Sequence, residues 1–545
     1  PFYDTKAQSS INVKGELALT LPEPNKRRSE VVSDNNEPVV YIDDFEGAQR
    51  YIPLGLSATQ WSHSSQPVDI DIAENDEQRA LYRGKMIWFQ YFIPWLSIQT
   101  VWPNREVLPG NNNISPLIIS FYHDRRGIYN KNPNFLDALN PNYDPNNPWF
   151  ERQENKERIW GGMMRLLSSF NTNFDTENIE YIEIMMNHNS KVGARMFIDL
   201  GQISEDIIPN GDLDTEDGIT SAAPIKNGII DKGEDIGIDA KNDAQEREEY
   251  PFPLNLEDDP ARDNYYFNFS KPDQDRKEDD FDKYNNYEGN ANVSETGQFP
   301  DTEILNPNNG EQLMTANDYF SYEVNLLKDP LLNPQIVGGN PDQGWHLYRI
   351  PIRQPHHRVG NPSFSNIQYL RVWFKGSTFQ GLIADWRLVG SQWQRISNFQ
   401  PNVAPDDSVL TIAFVNRFEN SGAPDYYTMP PGVKPPRERN ADPTRDVRLN
   451  EQSLGISVKN LKYGEERMTV RVFPPQDIFY YKKLKFFVHG DGSMPDNIVA
   501  GAIPKGYAYI RFGTDSANYY EYRRPLIRDW QDVEIDLAQL SAIKQ

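Results

Sequence analysis

Residues 366–375, Asn-Ile-Gln-Tyr-Leu-Arg-Val-Trp-Phe-Lys, decide the fold. The run is dominated by β-branched and aromatic side chains and shows no helical period, so it reads as a strand. Trp345…Arg349-Ile350 stands before it, across a loop rich in Pro and Asn. The same arrangement occurs earlier, where Trp160…Arg165-Leu166 stands before Asn178-Ile-Glu-Tyr-Ile-Glu-Ile184. Arg471-Val472 followed by Tyr481-Lys-Lys-Leu-Lys-Phe486 is a looser third copy. A repeated pair of neighbouring strands is what stacked β-sandwiches of one type leave in sequence.

Further out, the runs 85–95, 116–123, 194–200, 484–489 and 507–512 have the same character, separated by Asn, Pro, Gly and Asp clusters. Residues 385–389 and 532–537 look like closing strands. The expected class is all-β: tandem β-sandwiches in jelly-roll or galactose-binding-like style, at 38–204, 304–395 and 444–545. A lead-in precedes them at 1–37, and a Pro-rich joint at 396–443 stiffens the last connection. The first two sandwiches have an alternative reading as one interleaved domain, with Asp43 and Asp44 beside Asp385. Pro1 in place of Met marks a processed chain or a piece of a longer one.

The chain has 545 residues, no cysteine and a formal charge of −24. Residues 205–303 hold 28 acidic and nine basic residues, so −19 of that charge sits in one insert. Absence of Cys excludes disulfide scaffolds, Cys-bound zinc, iron–sulfur clusters and thiol nucleophiles. The acidity disfavours nucleic acid and anionic membrane surfaces, which need clustered Lys and Arg. No apolar run approaches the length of a membrane-spanning helix.

Within the insert, carboxylates alternate with glycines around Asp212, Asp214, Glu216, Asp217, Asp231, Glu234, Asp235 and Asp239. Several hard oxygens brought together by such a loop suit Ca²⁺, which takes six to eight of them. These eight residues are the candidate metal ligands, although the EF-hand spacing is not met. A solvated, disordered acidic loop is the plainer alternative. Asp43, Asp44 and Asp385 form a weaker candidate calcium site, set against a β-bulge with solvated carboxylates. No cofactor is required by any motif.

Catalytic patterns are missing. Seven histidines make no metal-ligand spacing, His356-His357 reads as a surface pair, and neither a G-x-S-x-G elbow nor a phosphate-cradling loop occurs. The chain is expected not to be an enzyme. Trp88, Trp160, Trp345, Trp373 and Trp386 read as core, whereas Trp95, Trp102 and Trp149 are candidate surface platforms for sugars. They support a second functional reading, a carbohydrate-binding array of a surface adhesin. Ser10–Leu21 alternates strictly, as does either a half-buried strand or a lipid-facing strand of an outer-membrane barrel.

Seven strings, in order, resemble one family. They are Tyr41-Ile-Asp-Asp-Phe-Glu-Gly-Ala-Gln49, Trp160-Gly-Gly-Met-Met-Arg165, Asn178-Ile-Glu-Tyr-Ile-Glu183 and Leu200-Gly-Gln-Ile-Ser-Glu-Asp206. Asn227…Gly233-Glu-Asp-Ile-Gly237, Asn450-Glu-Gln-Ser-Leu454 and Asn518-Tyr-Tyr-Glu-Tyr522 complete the set. Together they resemble the SprA (Sov) family, the giant outer-membrane translocon of the type IX secretion system. The resemblance implies a segment of a very large β-barrel through which folded cargo reaches the cell surface, in service of gliding motility. It implies as partners a PorV-type barrel, a periplasmic plug protein, cargo proteins and the remainder of the same polypeptide. In its light Ser10–Leu21 looks like a barrel strand, and the sandwiches look like an insertion forming part of an extracellular cap, with a periplasmic position as the alternative. It brings no catalytic residues. Its Gly-Glu-Asp-x-Gly match favours an ordered acidic loop.

Overall fold

Both Asn-Ile-x-Tyr strands are covered on two faces, which explains why their apolar runs are nearly continuous instead of alternating. The computed structural model describes residues 27–28, 38–39, 42–43, 45, 48–90, 96–107, 110, 112–135, 144–167, 172–217, 230, 233–250, 258–290, 302–309, 312–395, 409–424, 426–435, 448–475, 478, 481–515 and 517–543. Ser10–Leu21, Asp44, Asp231 and Trp95 lie outside these residues. The chain divides into two compact units: 43–428 with 436–471, and 1–42 with 429–435 and 472–545.

A short antiparallel pair, β1 (Arg27–Arg28) and β2 (Pro38–Val39), belongs to the second unit. In the first unit the strands before the insert are β3 (Gln49–Pro53), β4 (Ser62–His63), β5 (Gly84–Gln90), β6 (Leu117–Arg126), β7 (Trp160–Leu166), β8 (Ile179–His188) and β9 (Ala194–Gln202). After it come β10 (Asp318–Val324), β11 (Ile336–Asn340), β12 (Trp345–Pro351), β13 (His357–Val359), β14 (Tyr369–Gly376) and β15 (Phe379–Ser391). One sheet runs β13-β10-β9-β14-β7-β4 and the other β11-β12-β8-β15-β6-β5, with β3 added to β15.

The sequences expected to form two sandwiches therefore build one, in the interleaved arrangement. The repeat explains how. Each copy contributes one strand to each sheet, and the copies pair crosswise: β7 of the first with β14 of the second, and β8 of the first with β12 of the second. Leu370 stands opposite Arg165 in one ladder and Ile182 opposite Ile350 in the other, so the two crosswise pairings differ in register by one residue of the repeat.

Between the sheets lie Met196, Ile198 and Leu200 of β9, Leu370, Val372 and Phe374 of β14, and Ile182, Ile184 and Met186 of β8. Trp386 of β15 stacks on Trp61 with ring centres 5.3 Å apart. Gly161 lets the sheets close, because a Cβ there would stand 2.8 Å from both Met86 and Phe121. The five tryptophans read as core are all buried. Trp102 and Trp149 are buried too, at 7 % and 8 % exposure, which overturns their expected role as surface platforms. Trp102 joins a cluster over the outer face of β8 and β12, and Trp149 lies against Tyr82 and Phe135. Neighbouring Pro and Asn residues signal an irregular backbone, and these loops pack down on the sheets.

The outer faces hold buried ion pairs. On the first sheet Arg371 meets Asp199 at 2.7 Å, and residues 64–72 lie across them, accepting from Arg371 at the Gln66 carbonyl. On the second, Glu183 receives Arg349 at 2.7 Å and Arg387 at 2.8 Å. The strand β17 (Val409–Asn416) continues that cover, its Phe414 carbonyl accepting from Arg349. It pairs with β18 (Gln452–Lys459), while β16 (Gln394–Arg395) pairs with β19 (Thr469–Val470).

The expected third sandwich is not closed among the described residues. Its strands β20 (Lys483–His489), β21 (Tyr507–Gly513), β22 (Tyr519–Pro525) and β23 (Trp530–Asp536) form two separate ladders, β20-β23 and β21-β22. Alternating Lys, Arg and Glu leave few apolar positions there, and Val533 and Ile535 are the buried ones in β23. A two-stranded ladder is marginal by itself in water.

Candidate metal centre

The acidic insert is organised about its own small core. Ile207, Ile238, Tyr250, Ala261 and Tyr287 pack with Ile128 and Tyr129 from the loop after β6. Its ends are stapled to the sandwich by Glu205, whose carboxylate accepts from the amides of Leu305, Asn306 and Met314 and from the Tyr369 hydroxyl.

Two regions of converging carboxylates result. In the first, one oxygen each from Asp206, Asp214 and Glu303 lies within 4.8 Å of the others. Backbone amides occupy this trio: Ile207 and Asp214 donate to Glu303, and Gly211 donates to Asp206. Burial pushes the Glu303 carboxyl up to about 9, against the pull of those amides.

The second region is built by a short helix, Asp243–Glu249, which Asn242 caps together with Gln245. Residues three apart on a helix share a face, so Asp243 and Glu246 point the same way. Asp239, Glu246 and Asp263 bring one oxygen each within 4.8 Å of the others, and Asp243, Glu246 and Asp259 do the same beside them. Glu246 is fully buried; one oxygen accepts from the Ala261 amide at 2.8 Å and the other has no partner. Asp263 is also fully buried, and neither carboxylate oxygen completes a hydrogen bond with a described group. Burial, then the charges of Glu246 and Asp239, holds Asp263 well above the usual carboxylate range. Burial likewise pushes Glu246 up to about 8 and Asp239 to about 6.

The seven described members of the eight predicted ligands are dispersed. Asp214 joins the first trio and Asp239 the second, and no other member of the eight belongs to a three-carboxylate group among the described residues. Asp212 is exposed, Asp235 accepts from the Gly289 amide, and Glu216, Asp217 and Glu234 are buried elsewhere. Of the weaker site's described members, Asp43 is held by Arg471 and by the Trp393 indole at 3.0 Å, and Asp385 by Arg387 at 3.0 Å. The register of β15 slips beside Asp385, as at a bulge. Glu246, Asp263, Asp243 and Asp259 went unread, although Asn242-x-x-Gln245 is a helix-start signal that places two of them on one face.

Residues 251–533, more than half of the chain, match the family model SprA_N, described as motility related/secretion protein. No curated protein matches the chain. The match takes in Asp259 and Asp263, the second repeat copy, the β21-β22 ladder and most of the β20-β23 ladder. This chain belongs to the SprA_N family of motility related/secretion proteins.

Proposed function

We propose that this chain is a segment of the outer-membrane translocon of the type IX secretion system, a conduit that carries folded cargo to the cell surface and serves gliding motility. The family match carries this reading, and the seven ordered strings of the sequence agree with it. The sandwich acts as part of the extracellular cap, bracing the barrel and shaping the exit. The insert, with most of the net charge, keeps acidic cargo from resting on the cap by repulsion. The partners are a PorV-type barrel, the periplasmic plug protein, cargo and the remaining polypeptide. The open ladders of the second unit suit a segment completed by other parts of a larger assembly.

The chain's lack of cysteine makes its position testable. Val192 and Tyr463 are 98 % and 92 % exposed. Val192→Cys and Tyr463→Cys, each in the full-length protein in its own cells, are expected to react with a membrane-impermeant maleimide on intact cells. Reaction only after the outer membrane is permeabilised would place the sandwich in the periplasm. Secretion and gliding that persist in cells lacking the protein would remove the conduit reading altogether.

A further inference from the structure

The geometry points to a calcium site formed by Asp239, Glu246 and Asp263, an assignment that stands independently of the export role. Two observations beyond the gathering of acids carry it. The first is the state of Asp263: a fully buried carboxylate with no well-formed hydrogen bond and only the neutral Tyr129 hydroxyl acting on it as a donor, facing a fully buried Glu246 with one oxygen unpartnered. A buried ionised group without compensation is costly, so such an arrangement calls for a cation or for protonation. The second is what stands against Asp263. Gly237, at φ +89°, packs so closely that a Cβ there would come 2.2 Å from Oδ2, so this turn brings backbone and no side chain to the carboxylate.

Nearby side chains do not supply the missing charge. Lys131 and Lys241, which act on Asp239 from a distance, are both ion-paired to Glu249. The adjoining trio is already compensated, since Lys283 reaches Asp259 at 2.8 Å and the Asn264 amide donates to Asp243 at 3.0 Å. One ion is therefore assigned, to the uncompensated trio. Oxygens about 2.3–2.6 Å from a common calcium ion stand at most about 5 Å apart, which admits the separations found here. All donors are hard oxygens, as calcium requires, with water completing the shell.

The test uses the 545-residue chain stripped of divalent ions with chelator. Titration with calcium chloride is expected to show one site by calorimetry, and saturating calcium to raise the thermal midpoint by about 3–5 °C. Asp263→Asn has a distinctive signature. It removes a carboxyl that must be protonated to stay buried when no ion is bound, so the metal-free variant melts above metal-free wild type, yet it loses the calcium shift. Asp214→Asn, in the amide-filled trio, keeps that shift. No calcium response in wild type, or an unchanged response in Asp263→Asn, overturns the site. An equal response to magnesium overturns the choice of calcium.

Discussion

Replacing Asp199 by alanine is expected to destabilise the sandwich by about 3–5 kcal/mol, because it strands a buried guanidinium. Asp199 and Arg371 are both fully buried, and two guanidinium nitrogens converge on one carboxylate oxygen at 2.7 and 2.8 Å. Burial drives the Asp199 carboxyl upward, and the Arg371 charge is the largest force opposing it. The pair also fixes the segment that covers it, through the Gln66 carbonyl. Arg371→Met is therefore expected to cost a similar amount, since it leaves a lone buried carboxylate and frees that cover. The double variant Asp199→Leu/Arg371→Met should recover part of the loss, because no charge then remains buried. Urea unfolding followed by tryptophan emission reads the outcome, with Trp61, Trp160 and Trp373 all in this unit. Single variants within 1 kcal/mol of wild type would show that water reaches the pair.

The second large effect is acid sensitivity set by buried neutral histidines. Burial lowers both His63 and His188 from 6.5 to about 3, helped at His63 by Arg83 and Lys85 and at His188 by Lys328 and His346. The unfolded chain takes up a proton near pH 6.5 and the folded one does not. Each histidine's contribution is thus whole above that pH and is lost as pH falls toward about 3, at about 1.4 kcal/mol per pH unit. Glu303, raised to about 9, acts with the opposite sign over part of the same range, so the total slope is an unsafe measure. The difference from a variant is safe. His63→Phe keeps a ring against Trp88, and His188→Gln keeps a group able to bond the Tyr348 hydroxyl. Each is expected to flatten the stability–pH slope between pH 6 and 4 by about 1.4 kcal/mol per unit. Parallel slopes in wild type and variants would mean that these imidazoles are already charged in the fold.

Much of the all-β architecture could be read from the chain because strand residues advertise themselves locally. Asn178–Ile184 and Asn366–Val372 carry their aromatic and β-branched residues in the open, and both became central strands. Which strand pairs with which is a different matter. Nothing within β7 names β14 as its neighbour, since the two are brought together by a shared core some two hundred residues apart in the chain. The acidic centre was hard to read for a related reason. A linear pattern of carboxylates and glycines drew attention to 212–239, whereas the convergence depends on a helix turning Glu246 inward to meet Asp263 from a separate loop. Trp102 and Trp149 misled because their flanking residues describe the backbone and not what covers the ring.

The crosswise pairing of the repeat has a consequence for how this molecule is made. Synthesised from its N-terminus, the chain has β7, β8 and β9 complete before any of β10, β12, β14 or β15, the strands that flank them, has appeared. During that interval, of the sandwich strands, only β4 with β7 and β5 with β6 can pair, and β8 and β9 offer bare backbone on both sides. Contacts of such long sequence separation make folding slow, so the first half of the sandwich must be kept from sticking to its neighbours until the second half arrives.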